Sequence, residues 1–495
     1  MNHKGSCDCH KGTEWLSRRE LLQRSGLGFG HLALTYLLGD LTVRAEGSPA
    51  ASKILHNDLK ARQGHFRAGA KAVIQLMQNG GPSQMDLFDP KPELNKWSGK
   101  PYPGEVETFQ LNNKNILLGT QFQFRKHGQS GMDMSEIVPH LGSMADELCM
   151  IRSMHTEHNN HPEGLTMIQT GKIFAGRPAM GSWISYALGT ENQNLPAYIV
   201  LRDPAGYNTS GKMVWSSGWL PALYQGVEFS SSGTPVHHLS PSHPMPPGAQ
   251  RDNLDLLANM NEEHRRTHPG ETELDARIQN YELAARMQLA AAEILDLSKE
   301  SDATKKLYGL DNPITAGYGT RCLMARRLVE SGVRFVQIFP PLVPSFQPWD
   351  NHNNLHNDLQ SICAQTDQPA AALIKDLKAK GLLDETIVMW TGEFGRLPIT
   401  ENDNGRDHNR HAFTLLLAGG GFKNGLIYGA TDEFGYKAVV DRVSVPDLHA
   451  TILAQLGLDH KRLTYPHAGR EDSLTDSGIT GARVITSVLK SAPSV

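Results

Sequence analysis

No internal stretch of this sequence is long and apolar enough to cross a bilayer as a helix. Cysteine is scarce. The five cysteines stand at positions 7, 9, 149, 322 and 363, without the paired spacing of a metal finger. Cys7 and Cys9, with His3 and His10, could hold a metal ion but read better as part of a solvated leader. Excess charge is lacking too: a net charge of −4 over 495 residues singles out neither nucleic acid nor an anionic membrane surface as a partner. No His-Glu-x-x-His segment occurs, which disfavours a zinc protease. What the chain does have is histidine, 22 of them, and length enough for a large core in one enlarged α/β domain or in two.

The chain is organised around the stretch from Ala370 to Gly421. Leu373, Ile374 and Leu377 recur at helical spacing, Asp367 and Pro369 suit a helix start, and Gly381 suits its end. The apolar, β-rich run from Thr386 to Trp390 then predicts a central strand covered on both faces, and a second buried run spans residues 413–418. Between the two runs stand Glu393, Arg396, Arg406, Asp407, His408 and His411. Ligand-type groups thus gather where one strand ends and the next begins, which is where open α/β sheets build their sites.

Before this stretch, Ser17, Arg18, Arg19, Glu20, Leu21 and Leu22 read as a twin-arginine export signal, with an apolar run over 25–39 and a small-residue end near Ala45. The mature chain is expected to begin near Glu46, with a polar linker to residue 69. Residues 72–77 predict the first strand, ended by Asn79, Gly80, Gly81 and Pro82, with Asp86 and Asp89 beyond. His155, His158 and His161 precede a short predicted helix that Pro162 opens; they could ligate a metal, hold an anion at the helix start, or simply form a hydrogen-bonded loop. From 176 to 248 the chain is loop-rich around a strand at 198–201, and Trp215, Trp219 and Tyr224 suit either a flat-ligand pocket or the core. An amphipathic helix is predicted within 254–301 and a strand over 333–339. Asp350 and His352 follow that strand in a loop, a third cluster of acid and histidine. A capped helix over 445–458 and a polar tail close the chain.

Taken together, NGGPSQMDLFDPKP, RPAMGSWISYALG, NYELAARMQ, WDNH, GEFGR, GRDHNR and GREDSLTD, behind a twin-arginine leader, are similar to the exported DUF1501 proteins. These are sulfatase-like members of the alkaline phosphatase superfamily. The runs LIKDLKAKGLLDETIVMWTGEFGR and VPDLHATILAQLGL resemble the helix, strand and later helix of that superfamily. The likeness covers nearly the whole mature chain. It implies a three-layer α/β/α sandwich of the alkaline phosphatase and sulfatase type, with a mostly parallel central sheet over residues 70–476. A loop-rich and helical insertion is expected at about 203–310 and a tail over 477–495.

The likeness also implies one or two divalent ions, Zn, Mn or Ca, that clamp a phosphate or sulfate ester of a small molecule or carbohydrate. Asn79 or Asp86 would take the acidic position after the first strand. Asp350 and His352 would form one ligand pair, Glu393 stands where the superfamily has Asp, Phe394 where it has a ligating His, and His408 resembles the last histidine before a strand. The expected ligands or their supports are therefore Asp86, Asp350, His352, Glu393, Asp407 and His408. Arg396 and Arg406 are expected to hold the anion's oxygens. No Cys-x-Pro-x-Arg or Ser-x-Pro-x-Arg segment supplies the formylglycine of true sulfatases. His161 falls where the phosphatases carry a nucleophilic Ser, and it is left as nucleophile, general acid or ligand, with metal-activated water the preferred attacking group. The alternative is a secreted binding or scaffold protein on the same fold. Periplasmic or secreted localisation and the export machinery as a partner complete these expectations.

Overall fold

A computed structural model of the chain describes residues 58–492, apart from 109–113, 234, 237–245, 247, 269–271, 344 and 403. The leader, its Arg18 and Arg19, and Cys7 and Cys9 lie outside the described residues. In chain order the principal elements are β1 (Ala72–Met77), β2 (Leu148–His155), α1 (His161–Thr170), α2 (Met180–Leu188), β3 (Tyr198–Leu201), α3 (Ala316–Glu330) and β4 (Phe335–Ile338). After these come α4 (Leu355–Ala379), β5 (Thr386–Thr391), β6 (Gly395–Glu401), β7 (Gly405–Asn409), β8 (Phe413–Ala418) and α5 (Val445–Gln455).

Nine strands form the main sheet, in the order Leu426–Tyr428, β2, β8, β5, β1, β4, β3 and Val227–Glu228, with Val443–Ser444 also paired to β2. All pairings are parallel except those of β8, which runs against both β2 and β5. Central strand β1 pairs Val73 with Phe335 on one side and with Ile387 on the other. Every residue of β1, β3, β4, β5 and β8 is buried. Side chains alternate between the faces of a strand, so complete burial means that both faces are covered, and the fold is an α/β/α sandwich. The apolar runs read from the sequence are these strands.

Helix α4 is longer than its sequence suggests. It begins at Leu355, and Pro369 lies inside it. A proline there removes one backbone hydrogen bond, but the buried face that includes Leu359, Ile362, Cys363, Ala370, Leu373 and Leu377 holds the helix through it. Asp367 caps a different helix: its carboxylate accepts from the backbone N–H of His140 and Leu141 at 2.7 and 2.8 Å, at the start of Pro139–Gly142. The predicted helix within 254–301 is two, Ala249–Thr267 and Thr272–Ile294. Trp215 and Tyr224 are buried in the core, and Trp219 lies flat against His467, the ring centroids 4.4 Å apart. Ile485, Val488 and Leu489 are buried as well, so the packed chain continues past residue 476. Among the described residues no helix is long and apolar enough to cross a membrane.

Candidate metal centre

The parallel strands deliver their following loops to one rim of the sheet. After β1 the chain turns through Asn79 and Gly80, after β2 it reaches Asn159 and His161, after β4 it reaches Asp350 and His352, and after β5 it reaches Glu393 and Phe394. The β6–β7 hairpin lies against the loop after β4, with the N–H of Arg406 donating to the carbonyl of Asn351 at 3.0 Å, and it presents His408. Gly80 lets these loops meet. Its φ is +119°, and a Cβ there would lie 2.6 Å from the backbone nitrogen of Asp350 and 2.7 Å from that of Trp349.

His161, Asp350, His352 and His408 converge so that one potential ligand atom from each lies within 4.8 Å of the others. The roles of the ring nitrogens follow from their partners. Nδ1 of His161 lies 2.7 Å from Oε1 of Glu393, Nδ1 of His408 lies 2.7 Å from the carbonyl of Asn159, and Nδ1 of His352 bonds a carboxylate oxygen of Glu401. Carbonyl and ionised carboxylate oxygens only accept, so each Nδ1 carries the proton and each Nε2 is directed inward. Nε2 of His352 lies 2.8 Å, and Nε2 of His408 3.0 Å, from Oδ1 of Asp350. Nε2 of His161 is buried and lies 3.2 Å from Oδ2 of Asp350. Three imidazole nitrogens gathered around one carboxylate are a donor set that binds a transition ion, and each ring is oriented through its far nitrogen, as metal-ligating histidines are. The residues present therefore fit a divalent metal.

Electrostatics agree with this reading. Burial alone would raise the Asp350 carboxyl, but Arg396 and the three imidazoles hold it well below the usual carboxylate range. Burial likewise works against protonation of His352, yet hydrogen bonds to Asp350 and Glu401 push it up to about 9. His161 is raised against the same burial by Asp350 and Glu393, whereas burial, aided by Arg396, holds His408 down at about 4 despite Asp350. One carboxylate thus favours positive charge on His161 and His352, where a single cation would serve the whole set.

The other residues singled out from the sequence stand around this cluster. Glu393 is fully buried, accepts from the N–H of Gly80 at 2.8 Å and orients His161. Arg396 is fully buried; it donates to Asp350 at 2.6 Å and to the carbonyls of Gly80, Gly81, Trp349 and Arg406. Asp86 is not brought to the cluster. It forms a fully buried ion pair with Arg406 at 2.7 Å. Asp407 accepts from the hydroxyl of Thr108 at 2.6 Å and groups with His352 and Glu401. Phe394 stacks obliquely on His161 and His408, with centroids 5.0 and 4.7 Å away. His155 and His158 remain outside the four-residue set. Sequence reasoning missed Glu401 and Asn159. Glu401 was visible as an acid two residues beyond the proline-interrupted apolar run that ends at Ile399, but Asn159 acts through its backbone carbonyl, which leaves no trace in residue type.

Solved structures of similar shape include a phosphonate monoester hydrolase from Silicibacter pomeroyi, at 12% identity over 72% of each chain with a TM-score of 0.34. A sulfatase from Pseudoalteromonas sp. matches at 12% identity over 79% of this chain and 68% of its own, with a TM-score of 0.32. A protein in the alkaline phosphatase superfamily from Vibrio parahaemolyticus matches at 11% identity over 85% of this chain and 73% of its own, also at 0.32. Comparison with curated proteins finds no sequence relative. The family model of DUF1501, described as a protein of unknown function, matches residues 70–489, and the chain belongs to that family.

Proposed function

We propose that this protein is an exported metallohydrolase acting on a phosphate or sulfate ester. The observation that carries the reading is the convergence of three imidazole Nε2 atoms on Asp350, each ring held by an acceptor at Nδ1. His161, His352, His408 and Asp350 would hold the ion; three imidazoles and a carboxylate suit Zn or Mn better than Ca. A divalent ion in such a site supplies a Lewis acid and acidifies water toward neutrality. Glu393 and Glu401 fix the orientation of His161 and His352, and Arg396 fixes Asp350. His161, with Nε2 among the other ligand atoms, acts as a ligand rather than as a nucleophile. The ester class rests on the motif likeness, and export rests on the Arg18 and Arg19 leader.

The test is metal content of the exported protein by mass spectrometry, followed by turnover of generic aryl phosphate and aryl sulfate esters. Bound metal with turnover that a chelator abolishes is expected. Metal-loaded protein inert on every ester would favour the second reading, a binding protein on the same fold. Phe394, packed on two of the histidines where the superfamily has a ligand, is the observation in favour of that alternative.

A further inference from the structure

We infer that Phe394 is a positioning residue for the metal centre: its ring holds the imidazoles of His161 and His408 in place and closes the inner side of the cluster to water. The inference rests on the metal centre of the reading above and not on the reaction proposed there. Phe394 follows β5 and is fully buried, next in the chain to Glu393, which orients His161. Its ring lies 5.0 Å from the His161 ring and 4.7 Å from the His408 ring, centroid to centroid, tilted by 36° and 40°. The Nδ1 atoms of both imidazoles are fixed by acceptors, Glu393 and the carbonyl of Asn159. A bond at one nitrogen leaves a ring free to swing about it, and a flat apolar surface against the ring removes that freedom.

The Phe394 ring is clamped in turn between two glycines. A Cβ on Gly81 would lie 2.7 Å from both Cδ2 and Cε2 of the ring, and a Cβ on Gly164 would lie 2.9 Å from Cδ1 on the opposite edge. Gly81 has a φ of +77°, a conformation that favours glycine by itself. Gly164 is different. It stands in α1, three residues beyond His161, where alanine is the better helix former. The closeness of the Phe394 ring, with Cγ of Glu393 3.2 Å from the same Cβ position, accounts for a glycine there. Three separate parts of the chain thus fit around one ring.

The burial of the cluster is uneven in the way this placement requires. The side chains of His161 and His408, which pack on Phe394, are 9 and 8% exposed, whereas those of Asp350 and His352 are 23 and 28% exposed. Water and any external ligand therefore approach from the side of Asp350 and His352, and the aromatic wall keeps the other side dry.

Cobalt(II) tests this, because its visible absorption reports the number and arrangement of its ligands and its uptake gives an affinity without any turnover. Gly164→Ala drives a methyl group into the Phe394 ring. It is expected to weaken cobalt affinity by about tenfold or more and to change the absorption, although alanine favours the helix. Phe394→Leu introduced into the same chain makes room for the methyl group and should bring the affinity back to within about threefold of Phe394→Leu alone. Phe394→Ala should lower the intensity of the absorption as water reaches the inner side, with circular dichroism confirming that each variant is folded.

Folded Gly164→Ala and Phe394→Ala proteins that keep the wild-type affinity and spectrum would overturn the inference. So would a Gly164→Ala loss that Phe394→Leu does not relieve, since the damage would then run through the helix alone. Wild-type protein that takes up neither cobalt nor zinc would remove the metal centre itself, and the inference with it. The expected variant effects without turnover of any ester would uphold the inference and remove the hydrolase reading alone.

Discussion

Nε2 of His352 lies 2.9 Å from Nε2 of His408, while the Nδ1 protons of the two rings point away, to Glu401 and to the carbonyl of Asn159. Two ring nitrogens facing each other at that distance repel unless a proton or a cation lies between them. Removing a member of the cluster that would hold the cation should therefore remove metal. His408→Ala and Asp350→Ala are each expected to lower metal occupancy at least about tenfold with the far-ultraviolet circular dichroism unchanged, because these side chains lie at the sheet rim. Unchanged occupancy in both variants would count against the centre.

Glu393 and Glu401 hold histidines and are not members of the four-residue set. Glu393→Gln and Glu401→Gln should weaken metal affinity by roughly 10- to 100-fold without abolishing it. Competition with a chromogenic chelator measures this directly. Complete loss of metal would instead make either carboxylate a ligand.

Asp86 and Arg406 have side chains 0% exposed and pair at 2.7 Å. Truncating one member of such a pair strands the other's charge, so Asp86→Ala should cost about 3–5 kcal/mol of stability in urea denaturation. Metal affinity per folded molecule should remain near that of the wild type. A selective loss of metal with stability intact would place Asp86 among the ligands.

A metal that binds the folded chain alone should raise its stability by about 2.7 kcal/mol at a hundredfold excess over its dissociation constant. Thermal melts with and without a chelator read this out. No shift upon chelation of a demonstrably loaded sample would mean that the ion binds the unfolded chain equally well.

His449 gives a stability signature separate from the candidate metal ligands. Its ring is fully buried on α5, Nε2 lies 2.9 Å from the carbonyl of Ile168, and burial lowers its pKa from 6.5 to about 4. The unfolded chain therefore takes up a proton that the folded chain refuses, and stability falls as pH drops from 6.5 through 4. This one group should account for about 3 kcal/mol across that window. His449→Gln, which keeps a donor toward Ile168, should flatten the slope of denaturation free energy against pH between those limits; an unaltered slope would assign the acid lability elsewhere.

The sheet was legible because β1, β5 and β8 are continuous apolar runs, the pattern of strands buried on both faces. Pro369 misled because local propensity yields to packing along a helix with so much buried surface. At the site, Asp350 and His352 announced themselves as ligand types in a loop after a strand, and His408 as one between two buried runs. The matching of Asp86 with Arg406 could not be read, since 320 positions separate them and either residue alone looks like a site residue. Nor could the alignment of three rings by two glutamates and one carbonyl, which is a property of coordinates and not of composition.

Central strand β1 finds its two neighbours only after the chain has travelled to Phe335 and Ile387. Contacts this remote are slow to form, because a long loop must close before any bond rewards it. A truncated or still-emerging polypeptide therefore has no coordination sphere to offer. On the proposed reading, ion uptake would be a late event that follows the docking of β1 between β4 and β5, and premature exposure to free metal would meet scattered histidines rather than a site.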